Sequence, residues 1–315
     1  MKSIGKIIIA VSCSLIALTA FTTINRPASR TFKNSQADTV VNDIVEPGTK
    51  PQLISRQFAF AEGPSVDKKG NIFFSDQPND KIWEYDTDGK LSVFLDKTGR
   101  ANGMYFDKKG NLIACADEKN EIWSISPNKE ITVLLKDYQG HLFNGPNDLW
   151  IAPNGGMYLS DPFYQRNYWT RKGTELDGEK VYYLPKGSQT AVIVVSDMKK
   201  PNGIVGTADG KYLFVSDIEA NKTYKYRINK DGSLTDKTLF CDQGSDGMTL
   251  DSKGDVFMTG RGVTIYNAKG QKIVNFPIPE SWTSNVCLGG KNKDLLFITA
   301  SKGIYTLQTK VKGIE

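Results

Sequence analysis

Residues 62–70 read Glu-Gly-Pro-Ser-Val-Asp-Lys-Lys-Gly. A polar residue opens the stretch, a short apolar strand follows, and a tight turn closes on Gly70, eight positions after the opener. The same pattern returns at Asn102 (NGMYFDKKG), Asn147 (NDLWIAPNG), Asn202 (NGIVGTADG) and Asp246 (DGMTLDSKG), with the turn glycine at Gly110, Gly155, Gly210 and Gly254. A sixth copy starts at Asn285 (NVCLGGKNK) and carries Lys293 where the glycine is due. Repeats of about 40–50 residues signal solenoids or propellers. In a propeller, equivalent positions on the innermost strands converge on one axis.

Working outward from each opener, the repeats resolve into short strands joined by hairpin turns. The first copy gives Gly63–Val66, Ile72–Ser75, Lys81–Tyr85 and Leu91–Leu95. The sixth supplies only three strands, at Val286–Leu288, Leu295–Thr299 and Ile304–Gln308. A spare strand precedes the first copy, within Leu53–Phe60. Pairing it with the last blade closes the ring and removes two open edges. The expected fold is all-β: a six-bladed β-propeller of four-stranded blades over residues 51–315, its ring closed by the N-terminal strand. The third copy holds an insertion, Phe163–Glu179, rich in aromatic residues. It is either a packed surface loop or a flap beside the channel, because long loops in compact domains are often binding loops.

The chain starts with Lys2 and Lys6 and an apolar run from Ile7 to Phe21, too short for a comfortable membrane span. Residues 1–21 therefore read as an export signal or an uncleaved anchor, and the protein as periplasmic or secreted. Residues 22–50 are polar and read as a flexible linker. The net charge is +5, of which residues 1–50 carry six Lys/Arg against three Asp/Glu. The remainder is nearly neutral and has no clustered basic face, which excludes a nucleic-acid footprint. After the signal, Cys115, Cys241 and Cys287 form an odd set with no zinc-type spacing, and buried thiols are expected at Cys115 and Cys287, which lie in strand-like apolar segments.

The six openers ring one mouth of the channel with two carboxylates and four carboxamides. These are oxygen donors, the chemistry of a hard cation such as Ca2+, or of another divalent ion. Zinc favours His and Cys, and the chain has one histidine, His141. Taken singly, Asn–Gly and Asp–Gly pairs mean turns; taken together at one register, they mark a site. Acids also recur 14 or 15 residues after four openers, at Asp76, Asp117, Asp161 and Asp217. Their regularity points to a structural task, bonding neighbouring backbone amides.

Five segments in order at blade spacing resemble the gluconolactonase, senescence-marker-protein and luciferin-regenerating-enzyme family. They are Ala61-Glu62-Gly63-Pro64, Gly145-Pro146-Asn147-Asp148-Leu149, Ser160-Asp161-Pro162, Lys200-Pro201-Asn202-Gly203-Ile204 and Ser245-Asp246-Gly247-Met248. The resemblance implies a calcium-dependent lactone hydrolase acting on a small molecule. It places the ion on Glu62, Asn147, Asn202 and Asp246, with Asp246 as the group that activates water. Asn102 and Asn285 then line the substrate pocket, with Asp148 and His141 nearby. One position departs from the family: the animal sugar-lactone enzymes carry an Arg where Gly145 stands. Two alternatives remain at this point, a phosphotriesterase of the diisopropyl-fluorophosphatase type and a non-catalytic binding propeller.

Overall fold

The computed structural model describes residues 41–314. Six antiparallel sheets of four strands follow one another along the chain. In five of them, strand order from the axis outward is sequence order. The innermost strands are Ala61–Val66, Ala101–Phe106, Leu149–Ile151, Pro201–Gly206, Met248–Leu250 and Asn285–Gly289. Each touches the next around the ring, and the last touches the first. The sixth sheet is closed as expected: Gln52–Ser55 pairs antiparallel with Gly303–Gln308, the strand that would otherwise be its outer edge.

Local chemistry sets the turns. In the first, Asp67 Oδ1 accepts bonds from the backbone N–H of Lys69 (2.8 Å) and Asn71 (2.9 Å), and Gly70 takes φ +92°. Asp107 and Asp251 repeat this Asx arrangement. The sixth turn reaches the same left-handed conformation without glycine, at Lys293 with φ +59°. Gly70 also sits at the ring closure. Its carbonyl accepts from Gly290 N at 2.9 Å, and a Cβ there would lie 2.3 Å from the Gly290 oxygen.

The core lies between blades. Phe73 packs edge-on against Phe94 and against Phe106 of the next blade. Phe74 meets Phe297 across the closure of the ring. Cys115, Cys241 and Cys287 are buried and form no disulfide, and burial was anticipated for Cys115 and Cys287.

The expected signal at 1–21 lies outside the described residues. The expected linker at 22–50 needs correcting at its end. Ile44 and Val45 are buried among Val263, Ile265, Leu307 and Val311, and Lys310 N donates to the Ile44 carbonyl at 2.7 Å. The apolar residues Val41, Ile44 and Val45 find a hydrophobic seam beside the last strands, so the folded unit begins before residue 51. Among the described residues no helix is long and apolar enough to cross a membrane.

Candidate active site

Glu62, Asn102 and Asn202 occupy one backbone feature. In each of their inner strands three residues advance while the partner strand advances two, between Glu62 and Ser65, Ala101 and Met104, and Pro201 and Ile204. Such a bulge bends the strand and re-aims its side chains, a common device beside active sites. Asn147 and Asp246 stand two residues ahead of shorter inner strands, and Asn285 begins the sixth. The glycines that follow are there for closeness. A Cβ on Gly63 would lie 2.1 Å from the Asn102 carbonyl oxygen, and one on Gly247 would lie 1.9 Å from Asn285 Cγ.

Five of the six openers are buried; Asp246 is partly exposed at the mouth. Glu62 Oε2 accepts from Gly63 N at 2.9 Å. Burial pushes the Glu62 carboxyl well above the usual range, and the negative charges of Asp246 and Asp148 add to that push. A hydrogen bond from Asn285 opposes it. Asp246 accepts from Asn202 Nδ2 at 2.8 Å and from the Trp282 indole N–H at 2.6 Å. Burial raises Asp246 to about 6, and these two bonds and the charge of Arg166 hold it from going higher. Asn202 Nδ2 also donates to the Tyr164 hydroxyl at 3.1 Å.

Two buried carboxamide oxygens, Asn102 Oδ1 and Asn202 Oδ1, have no hydrogen-bond partner. Orphaned acceptors beside mutually repelling carboxylates suit a hard cation. Among the described residues no group of three or more His, Cys, Asp or Glu could hold a metal ion. A cation here therefore depends on the carboxamides completing the set. The residues present fit calcium better than zinc.

Glu62, Asp148, Asn202, Asp246 and Asn285 form one electrostatic and hydrogen-bonded cluster. Asn102 and Asn147 join through the inner strands: Gly103 N donates to the Asn147 carbonyl at 2.7 Å. His141 does not join the cluster through any described contact. It lies in an exposed turn, where its backbone pairs with Tyr138.

The sequence does not assign three participants to the site, although the insertion that carries two of them reads as either a surface loop or a flap. Trp282 and Tyr164 have no periodic partner to mark them. Arg166 lies inside the insertion, whose sequence shows no register with the repeats. A fourth feature was visible as the pairs Ser75-Asp76, Ser160-Asp161 and Ser216-Asp217. Ser75 Oγ donates to the Asn102 carbonyl at 3.0 Å, and Ser216 Oγ accepts from Ser245 N, so these hydroxyls tie neighbouring blades together. A cavity of about 810 Å3 opens at the opposite mouth between the Asp67–Lys68, Asp107–Lys109 and Pro153–Gly155 turns. It touches none of the six openers.

A propeller that concentrates buried acids and carboxamides at one channel mouth belongs to the class with an axial polar site. The chain belongs to the SMP-30/Gluconolactonase/LRE-like family, whose description it matches over residues 60–302. It is 27% identical to a gluconolactonase of Zymomonas mobilis, with 96% of each chain covered. It is 28% identical to a pentonolactonase of Haloferax volcanii over 36% of this chain and 42% of that one. The solved structure of a putative gluconolactonase superposes with a TM-score of 0.80 at 28% identity, covering 87% of this chain and 97% of the other.

Proposed function

We propose that the protein is a lactone hydrolase that works at this channel mouth with calcium held by Glu62, Asn147, Asn202 and Asp246. One observation carries the reading. The buried carboxyl of Glu62 is repelled by Asp246 and Asp148 beside two carboxamide oxygens that have no partner. Such an arrangement is unfavourable unless a cation balances it. The lactonases among its relatives supply the substrate class.

When bound, calcium supplies Lewis-acid polarisation of the lactone carbonyl. The side chains do the rest. Asp246 is fixed by Asn202 and Trp282, so its carboxylate faces one direction. It orients the attacking water and accepts its proton as the water oxygen bonds to the carbonyl carbon. The bond from that carbon to the ring oxygen then breaks, and the proton passes to the ring oxygen, leaving a hydroxy acid. Asn102 and Asn285 border the mouth and offer amide groups to the substrate. Tyr164, from the insertion, stands at the mouth and accepts a hydrogen bond from Asn202.

The test is an assay of the purified domain on a panel of lactones, before and after chelation and with calcium restored. Activity that needs the cation and is lost in Asp246→Asn supports the reading. Activity indifferent to both would overturn it. The basic and apolar opening of the chain supports export as its address, and N-terminal sequencing of protein recovered outside the cytoplasm checks that.

A further inference from the structure

Beside the catalytic mouth, on the same face, the insertion and the first two blades enclose a cleft of about 530 Å3. Its charged lining consists of two arginines, Arg100 and Arg166. Three carboxamides, Gln77, Gln165 and Asn167, and the phenol of Tyr168 complete its polar wall. No carboxylate lines it.

Both arginines are held in place yet incompletely used. Arg166 Nε donates to the buried Asp117 Oδ2 at 2.8 Å, while its two terminal nitrogens have no partner among the described residues. Arg100 stacks over the Tyr168 ring at 4.3 Å and donates one terminal N–H to the Pro78 carbonyl at 2.7 Å. Its Nε is buried without a hydrogen-bond partner and lies 4.0 Å from Glu118 Oε1, a long ion pair with a half-exposed carboxylate. Tyr168 donates to Asp117, and Gln77 Nε2 donates to the same oxygen at 3.2 Å.

Asp117 is diverted to this task. Asp76, Asp161 and Asp217, its counterparts in other blades, each accept two backbone N–H groups just ahead of an inner strand. In the second blade Asp80 does that work instead, accepting from Thr98 N and Arg100 N. The side chain of Asp117 is left for the insertion.

We propose that this cleft is an oxyanion subsite that receives a carboxylate or phosphate carried on the substrate, beyond the bond being cleaved. A guanidinium fork oriented by a buried acid presents parallel N–H donors to such a group. Arg166 links the two places, since its charge also acts on Asp246. The substrate class then becomes lactones with an anionic substituent. The proposal rests on the lactonase reading for that substrate, but not for the anion.

The direct experiment titrates calcium-loaded full-length protein with methyl phosphate and, separately, with propionate at low ionic strength. Saturable one-site binding is expected, about tenfold weaker in Arg166→Gln or Arg100→Gln and lost in the double variant. Tighter binding of methyl phosphate names a phosphorylated substrate, and tighter binding of propionate names a carboxylated one. No saturable binding of either anion, or binding unchanged in a double variant that melts like the parent, overturns the proposal. Kinetics give the second arm. The ratio of kcat/KM for an anionic lactone over its neutral analogue should fall about tenfold in Arg100→Gln. An unchanged ratio counts against the subsite. If no lactone is hydrolysed, the lactonase reading fails while the anion titration still decides the cleft.

Discussion

Asp117 and Arg166 stand 49 positions apart in sequence and 2.8 Å apart in the fold. The acid is almost fully buried and the arginine about one-quarter exposed. Asp117 also accepts from Tyr168, and its backbone carbonyl accepts from the Trp169 indole at 2.9 Å. One residue of the second blade thus anchors the long insertion of the third. The close approach also suits Gly145, where a Cβ would lie 2.9 Å from Asp117 Oδ1 and 3.0 Å from the Trp169 ring.

Replacing this anchor loosens the flap. Asp117→Ala is expected to destabilise the protein by about 1–3 kcal/mol and to make the segment 163–179 sensitive to limited proteolysis. Thermal melting and mapping of the cleavage sites check both. An insertion as resistant as in the parent would show that Asp117 does not hold it.

Asp246→Asn keeps the shape of the side chain and removes its basicity. Hydrolysis should fall by about 10²–10⁴-fold with a melting temperature no lower than the parent's. Steady-state kinetics on a lactone substrate read the loss, and a variant within a few-fold of the parent would exclude Asp246 from the chemistry.

Trp282→Phe removes the indole N–H that bonds Asp246 Oδ2. That bond lowers the acid's pKa, so losing it raises the pKa further. The acid limb of kcat/KM should move to higher pH, with kcat reduced about tenfold. An acid limb that stays in place would mean the indole serves packing alone.

The pH dependence of stability follows from the buried acids. In the cation-free protein burial raises Asp246 to about 6 and Asp161 to about 7, and Glu62 well above its ordinary range. These groups bind protons more tightly folded than unfolded. The stability they contribute is complete below their unfolded pKa of about 4 and is lost as the pH rises through about 6 to 7. Chelated protein should therefore melt lower at about pH 8 than at about pH 5. Calcium should raise the melting temperature more at the higher pH, where its ligands are ionised, since a ligand at a hundred times its Kd stabilises the folded state by about 2.7 kcal/mol. Calcium without effect on melting at either pH would remove the ion from Glu62 and Asp246.

Gly247→Ala puts a methyl group into the Asn285 carboxamide. The expected cost is about 1–3 kcal/mol together with loss of the bond from Asn285 to Glu62, and so of lactone turnover. A crystal structure of the variant with Asn285 unmoved would contradict this.

The repeat Glu62–Gly70 and its copies determined the architecture by themselves. Periodic strand–turn–strand spacing is a local property, and Asx turns at Asp67, Asp107 and Asp251 form from residues within four positions of each other. The closing strand was legible too, because a sixth copy one strand short and a spare strand at the other end leave one pairing that abolishes both edges. The openers could be named as a ring for the same reason: equivalent register positions on inner strands must converge.

What the sequence did not contain was anything fixed by contact across blades. Arg166 and Trp282 follow no repeat, so only the tertiary structure brings them to Asp246. Asp117 shares its register with Asp76, Asp161 and Asp217, and the sequence predicts for it the same backbone bonds. The fold gives that duty to Asp80 and turns Asp117 toward the insertion. His141 was singled out for its chemistry, and the fold put it in an exposed turn. Val41, Ile44 and Val45 read as linker until a seam beside the last blades gave them somewhere to bury. Periodicity along the chain fixes which residues share a level around the axis. Which side chain answers another across a gap depends on distances that exist only once the ring has closed.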